Sequence, residues 1–237
     1  MDKNVALALD DISLIKTVIE RTQQDFSKIA PFFIWVGIIN GIAAIVEQLM
    51  YYIRNTYGYE TSLVHIFGAG YYWIKIIGYI ILFIFFSRKL RKANNDISYG
   101  MLKIWGIFLI GSYVFIFLYM HLLPTGNNDR IMTLWRCKEL LEILPIIFAL
   151  FMTGILTQRK LITICTACYS VLYLVLFLSM KEMPFGTIGG KGTLISVSSF
   201  SIRVVMILGM VALGLFFRIG AKNHGNKYNT RSFSNEA

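Results

Sequence analysis

The chain has 237 residues, of which 56% are hydrophobic and only 15% are charged, and its formal net charge is +10. Soluble domains carry about 25% charged residues, so the composition argues against a soluble globular protein and favours a membrane protein. The positive charge does not require a nucleic-acid partner, because the basic residues concentrate in short loops, as the positive-inside rule expects.

Residues 1–30 are polar and predict an amphipathic helix on the cytoplasmic side. They lack the short basic stretch and apolar core of a signal peptide. Apolar side chains recur there at steps of three and four, which places them on one stripe of a helix. An interfacial helix is favoured, because Pro31 follows at once as a natural first residue of the next helix. Docking on a protein partner or a short coiled coil is the alternative.

Six apolar segments follow, each long enough to cross a bilayer as a helix of about 20 residues. They are predicted over residues 31–53, 67–87, 102–123, 138–158, 161–180 and 194–217. The predicted fold is therefore an all-α bundle of six transmembrane helices in one domain, with a disordered cytoplasmic tail over 218–237.

Lysine and arginine predict the orientation of the bundle. Most of them outside the segments fall on one side of the predicted membrane, and the basic run after the second segment is the clearest signal. Because Lys and Arg concentrate in cytoplasmic loops, both termini are predicted to lie inside. The abundance of Ile, Lys and Asn, together with short loops, further predicts a bacterial inner membrane.

Apart from the charges at the very ends of the predicted segments, four charged residues lie within them, where a charge at mid-bilayer costs at least about 2.5–3.5 kcal/mol. They are Glu47, Lys75, Glu142 and Arg203. Counting about 1.5 Å of rise per residue from the segment ends places all four in the outer half of the membrane. The two acids balance the two bases, so the four residues are expected to pair inside the bundle.

Each of these residues lies on a small or polar face of its own helix. We expect the four faces to converge on a polar cavity open to the outside. Asn40 would lie deeper in this cavity and His121 near its rim, and Glu139, at the edge of the fourth segment, adds a spare acid to the cluster. The alternative is a set of structural ion pairs that join four helices and bind no ligand.

Sequence motifs for catalysis or cofactor binding are absent. The three histidines lie far apart on different segments, so no zinc motif forms, and no G-x-S-x-G turn is present. Cys165 and Cys168 form a C-x-x-C inside an apolar segment, which favours two small helix residues over a redox pair. In the glycine-rich stretch 186–193, Gly192 follows Gly190 and Lys191 at the position where a phosphate loop requires Ser or Thr. We therefore predict no enzyme activity, no cofactor and no metal.

The layout of the chain is similar to that of the membrane subunits of type-2 ABC exporters. In that family the amino-terminal helix and the first cytoplasmic loop contact a separate ATPase. The resemblance implies a permease-like transport component, and two groups of side chains would dock the partner. They are Ile12, Ile15, Ile19 and Phe26 in the first helix, and Arg88, Lys89, Arg91 and Lys92 in the loop.

A second hypothesis is a membrane sensor, or a regulatory or immunity protein. Such a protein would bind an external ligand through the charged cluster and pass the signal to a cytoplasmic partner. Besides the lipid bilayer, the predicted partners are thus a cytoplasmic ATPase or regulator, or a second copy of the chain.

Overall fold

The computed structural model describes residues 26–58, 62–92, 96–122, 128–185 and 193–220, without the side chains of 120–135 and 183–194. The predicted stripe through Ile12, Ile15 and Ile19 lies outside the described residues. The predicted tail beyond residue 220 lies outside them too.

Six long helices make up most of the described chain. They are α1 Ala30–Tyr57, α2 Ser62–Lys92, α3 Asp96–Leu122, α4 Asn128–Leu156, α5 Lys160–Ser179 and α6 Val197–Gly220. All six include a stretch long and apolar enough to cross a membrane. The predicted all-α bundle with six such helices is therefore confirmed. Consecutive helices pack against each other, and α6 returns to pack against α1.

Three helices begin well before the predicted apolar segments. Helix α2 begins at Ser62 rather than at residue 67, α3 at Asp96 rather than at residue 102, and α4 at Asn128 rather than at residue 138. Hydropathy detects the part of a helix that lipid surrounds, whereas the backbone hydrogen bonds continue into polar turns at the ends. The apolar windows thus underestimate the helices.

A short hairpin before α6 departs from the prediction. Strand β1, Glu182–Phe185, pairs antiparallel with β2, Thr193–Ser196, so residues 194–196 do not begin the sixth helix as predicted. A short apolar run that contains β-branched residues suits a strand as well as a helix. Ser196 then caps α6, because its hydroxyl accepts a hydrogen bond from the backbone N–H of Ser199 at 3.1 Å.

Glycines allow α1 and α6 to approach each other closely. If Gly37 carried a Cβ, that atom would lie 2.8 Å from the carbonyl oxygen of Ile207. A Cβ on Gly214 would lie 2.7 Å from the carbonyl oxygen of Ala30. Both distances are too short for a side chain, so the contact depends on small residues, as is common between membrane helices.

The interior of the bundle differs between its two ends. The half that contains the start of α1, the end of α2 and the start of α3 has an aromatic core, and we call it the aromatic half. Phe33 contacts both Trp105 and Phe217 there, with ring centroids 5.4 and 5.7 Å apart, and Phe32 contacts Phe86 at 5.8 Å. We call the opposite half, which contains the four charged residues of the sequence prediction, the charged half.

Candidate functional site

The charged half contains one small cavity that four helices line together. Five predicted site residues lie around it: Asn40, Glu47, Lys75, Glu142 and Arg203. The remaining lining residues are Ala44, Tyr71, Ile202, Met206 and Ile207. The centre of a water-sized sphere can move through about 10 Å³, which is about the room that one ordered water molecule needs. In this conformation the cavity is too small for an organic solute.

Lys75 on α2 lies in a cage of oxygen atoms. Its Nζ donates hydrogen bonds to the hydroxyls of Tyr71 and Tyr113, each at 2.7 Å, and lies 3.5 Å from Oε1 of Glu142. The Tyr113 hydroxyl in turn donates to the same Glu142 oxygen at 2.6 Å. An ammonium group has three N–H donors, and these three oxygens can accept all of them. The Lys75–Glu142 pair is therefore closely enclosed, and it joins α2 to α4 through α3.

Arg203 on α6 forms the second ion pair, with Glu47 on α1. Its Nη2 donates to Oε1 of Glu47 at 2.8 Å, and the hydroxyl of Tyr51 lies 3.5 Å from the same oxygen. The Arg203 side chain is 18% exposed, against 6% for Lys75. The two cations of the cavity thus differ, since Arg203 is more open and Lys75 is enclosed.

Asn40 lies at the end of the cavity nearest the aromatic half. Its amide nitrogen donates to the backbone oxygen of Val36 at 2.8 Å, and its Oδ1 accepts from the Tyr79 hydroxyl at 3.0 Å. Asn40 is buried, and both ends of its amide are paired. Asn40 therefore joins α1 to α2 between the two ion pairs and the aromatic half.

Glu139 does not line the cavity, although it lies on the same helix as Glu142. Its carboxylate accepts hydrogen bonds from the hydroxyls of Ser196 and Ser198, the latter at 2.8 Å. Glu139 thereby fixes the start of α6 to α4. His121 belongs to α3, and its side chain lies outside those that the structure describes.

Helix α4, which carries Glu142, and helix α6, which carries Arg203, are both irregular close to these residues. In α6, residues Val205–Gly209 form a π-helical stretch that begins two residues after Arg203. In α4, Pro145 lies three residues after Glu142, and a proline there removes a helix hydrogen bond. π-Helical stretches within α-helices frequently occur at functional sites. The backbone close to two of the four charges therefore departs from a regular α-helix.

The predicted docking residues fall into two groups in the structure. Phe26 is half-buried, and its ring centroid lies 5.7 Å from that of Phe217, so it packs on the core of the bundle itself. The four basic residues at the end of α2 are exposed. Further basic side chains lie at the same end of the bundle, at Lys103, Lys160 and Arg218.

Sequence reasoning missed two residues of the polar network, Tyr113 and Ser198. Tyr113 lies in an apolar run of α3 that carries no charged side chain at this level. The signal available was that a buried tyrosine usually finds a partner for its hydroxyl, but this principle does not say which one. Ser198 is one of several serines around the start of α6, and only the fold shows which of them faces Glu139.

The arrangement offers a ligand both signs of charge in one place. Two carboxylates and two cations meet at the cavity, and their formal charges cancel. Within the part of the chain that the structure describes, no three His, Cys, Asp or Glu residues are grouped to hold a metal ion. The side chains that line the cavity can therefore form ion pairs and hydrogen bonds of both signs.

The fold and the site define a multi-pass membrane protein with a buried charged cluster. Comparisons with protein-family models, with curated proteins and with solved structures found no match to this chain. Its function must therefore be argued from the geometry of the charged half.

Proposed function

We propose that this protein is the membrane subunit of a transporter, a permease-like component that binds a small solute in its charged half and catalyses no reaction itself. The observation that carries the proposal is that two ion pairs, contributed by α1, α2, α4 and α6, face the same cavity. In this proposal the structure corresponds to a closed conformation, since the cavity has room for about one water molecule.

Stability alone does not account for four charges in this position. Replacing a buried ion pair by well-packed apolar residues is often neutral or stabilising, whereas removing one partner costs about 3–5 kcal/mol. Charged side chains inside a membrane therefore usually mark a substrate or ion pathway. The π-helical stretch next to Arg203 and Pro145 next to Glu142 support the same conclusion, because they give α6 and α4 places to bend.

The proposal includes an orientation in the membrane. The exposed basic residues at the end of α2, Arg88, Lys89, Arg91 and Lys92, would lie in the cytoplasm with both termini. The charged half then faces the outside of a bacterial inner membrane. The basic end provides a docking surface for a separate ATPase, whose acidic side chains would complement it.

Identification of the partner tests this proposal. The chain would be tagged at its carboxyl terminus, extracted from native membranes in mild detergent, and its stoichiometric partners identified by mass spectrometry. A nucleotide-binding ATPase supports the transporter. A kinase or transcription regulator in its place supports the sensor hypothesis and contradicts the proposal. Isolation of the chain without a partner contradicts both.

A pair of charge reversals makes the test specific for the docking surface. Lys92→Glu changes an exposed residue at the basic end, and Lys181→Glu changes an exposed residue near the opposite end. We expect only Lys92→Glu to reduce co-purification of the ATPase, because repulsion acts over about one Debye length, 8 Å at physiological salt. Equal losses in both variants would contradict docking at this end.

A further inference from the structure

The geometry points to a small zwitterion, with one carboxylate and one ammonium group, as the solute of the charged half, bound between Arg203 and Glu47. This inference rests on the proposed function, because it names the class of solute for the same cavity. It follows from the difference between the two ion pairs, the position of the π-helical stretch, and the balance of charge around the cavity.

A solute can enter only if one of the two ion pairs separates, because the cavity has room for about one water molecule. Lys75 has three oxygen partners and a 6% exposed side chain. Arg203 is 18% exposed, three times as much as Lys75, and is therefore the cation that a solute reaches first; its Nη2 donates to Oε1 of Glu47. The pair that opens is therefore Arg203–Glu47, and the cage around Lys75 keeps Glu142 in place.

The local structure of α6 provides a way for Arg203 to move. Arg203 lies in the α-helical segment Val197–Val204, between the Ser196 cap and the π-helical stretch Val205–Gly209. Two residues of the π-helical stretch, Met206 and Ile207, line the cavity. A change in the winding of this stretch would displace Arg203 from Glu47 without moving the glycine contact between Gly214 and α1.

Separation of Arg203 from Glu47 leaves one cation and one carboxylate to be satisfied. A solute carboxylate matches the planar guanidinium of Arg203, which can donate two parallel hydrogen bonds. A solute ammonium needs acceptors, and the cavity provides two carboxylates. Within the described residues, the hydrogen bonds to Glu47 and Glu142 all end on Oε1, so both Oε2 atoms can accept from the ammonium group.

A solute of a single charge fits less well. A simple carboxylate would replace Glu47 at Arg203 but would not replace Arg203 at Glu47, whereas a simple amine would replace Arg203 at Glu47 but not Glu47 at Arg203. Leaving a buried charge unpaired is what makes removal of one partner costly. A metal cation is disfavoured because Lys75 and Arg203 both lie at the cavity and would repel it. Only a solute of both signs replaces both lost interactions.

Binding of matched small molecules tests the class of solute. The full-length protein in lipid nanodiscs would be titrated with β-alanine, propionate and ethylammonium, and the unfolding temperature followed by tryptophan fluorescence. Glycine and γ-aminobutyrate would vary the distance between the two charges. We expect at least one of the three zwitterions to act at concentrations at least about tenfold lower than propionate and ethylammonium, a difference of about 1.4 kcal/mol.

Two single variants assign the roles of the charged residues. Glu47→Gln should remove the preference for β-alanine over propionate, and Arg203→Gln should remove its preference over ethylammonium. Glu182→Gln, which changes an exposed carboxylate on β1, should leave both preferences unchanged. If the single variants do not fold, Glu47→Gln/Arg203→Gln removes both charges together and should abolish the effect of every zwitterion.

The outcomes separate this inference from the proposed function. Equal action of propionate or ethylammonium would overturn the zwitterion and leave a solute site in place. No effect of any zwitterion would also overturn it, while co-purification of an ATPase would still support the transporter. Loss of preference in Glu182→Gln as well as in Glu47→Gln would show that the effect does not arise in the cavity, and would overturn the assignment.

Discussion

The charged half and the aromatic half are built by the same helices, but different interactions hold them together. In the charged half, Lys75 and Glu142 are joined through the hydroxyl of Tyr113 by hydrogen bonds with definite directions. In the aromatic half, Phe33 and Trp105 are fully buried and meet edge to face, and the ring N–H of Trp105 donates a hydrogen bond to the Thr153 hydroxyl at 2.8 Å. The charged half thus depends mainly on ion pairs, and the aromatic half mainly on close packing of aromatic rings.

This difference indicates which half can change conformation. Between membrane helices, apolar packing gains little from the exclusion of water, because lipid is as apolar as the side chains. The aromatic half is then stable only while its surfaces stay in close contact. An ion pair, by contrast, can be exchanged for equivalent contacts with a solute. We therefore expect the charged half to open while the aromatic half serves as the fixed part of the bundle.

The largest effect is expected from breaking the enclosed ion pair. Glu142→Gln removes the carboxylate from Lys75, which would remain buried beside two tyrosines, and such a loss costs about 3–5 kcal/mol. The free energy of unfolding would be measured in mixed micelles by titration with a denaturing detergent. Glu182→Gln, an exposed change of the same kind, should have no measurable effect. A loss below about 1 kcal/mol in Glu142→Gln would mean that the pair is not closely enclosed.

A substitution in the core of the aromatic half should lower the free energy of unfolding by less than Glu142→Gln does. In soluble proteins Phe→Ala in a core costs about 3–5 kcal/mol, part of which is transfer from water. Lipid reduces that part, so we expect about 2–3 kcal/mol for Phe33→Ala in the same unfolding titration. Phe148→Ala removes a ring that is 58% exposed on α4 and is the matched control. If both variants lose the same free energy, close fit does not hold the aromatic half together.

Two buried tyrosines test how much the hydrogen bonds of a hydroxyl contribute to stability, because only one of the two hydroxyls has a partner among the described residues. Tyr113→Phe removes the hydroxyl between Lys75 and Glu142, and a hydrogen bond to a charged group contributes about 1.5–3 kcal/mol. We expect the lower part of that range, about 1.5–2 kcal/mol, because the two charges keep their direct contact. Tyr173 is also buried, but its hydroxyl has no hydrogen-bond partner among the described residues. Tyr173→Phe should therefore leave the unfolding free energy unchanged, and an equal loss in the two variants would contradict the bonding around Lys75.

The sequence was sufficient to find the main parts of the charged half, because charges in apolar segments are conspicuous. Glu47, Lys75, Glu142 and Arg203 all face one cavity in the structure. Which acid pairs with which base was not predictable, since it depends on which helices are neighbours in space. Tyr113 was missed for a related reason, because α3 contributes no charge to the cavity, and a tyrosine in an apolar segment does not reveal which partner its hydroxyl finds.

Hydropathy was sufficient to predict the number and order of the long helices. Six apolar segments became six helices, but helix ends and the hairpin before α6 did not follow from apolarity alone. The π-helical stretch Val205–Gly209 also left no mark in the sequence, since its residues are ordinary apolar ones. It lies where α6 packs against α1, immediately after the segment that carries Arg203.

The smallest effect is expected at Gly37, which lies on α1 between Phe33 of the aromatic half and Asn40 of the cavity. Gly37→Ala would bring a methyl group to 2.8 Å from the Ile207 carbonyl oxygen, so α6 must move away from α1. Overpacking costs about 1–3 kcal/mol, and replacing a helical glycine by alanine returns about 0.5–1 kcal/mol, so the net loss is about 1 kcal/mol. Gly41, one turn later, is the matched control. A Cβ added there would lie 4.0 Å from Ile207 Cγ2, its nearest neighbour, so Gly41→Ala should be neutral or slightly stabilising.

Gly37→Ala should also weaken binding of β-alanine, because Ile207 belongs to the π-helical stretch. A variant that loses stability but binds β-alanine normally would show that the two halves are independent.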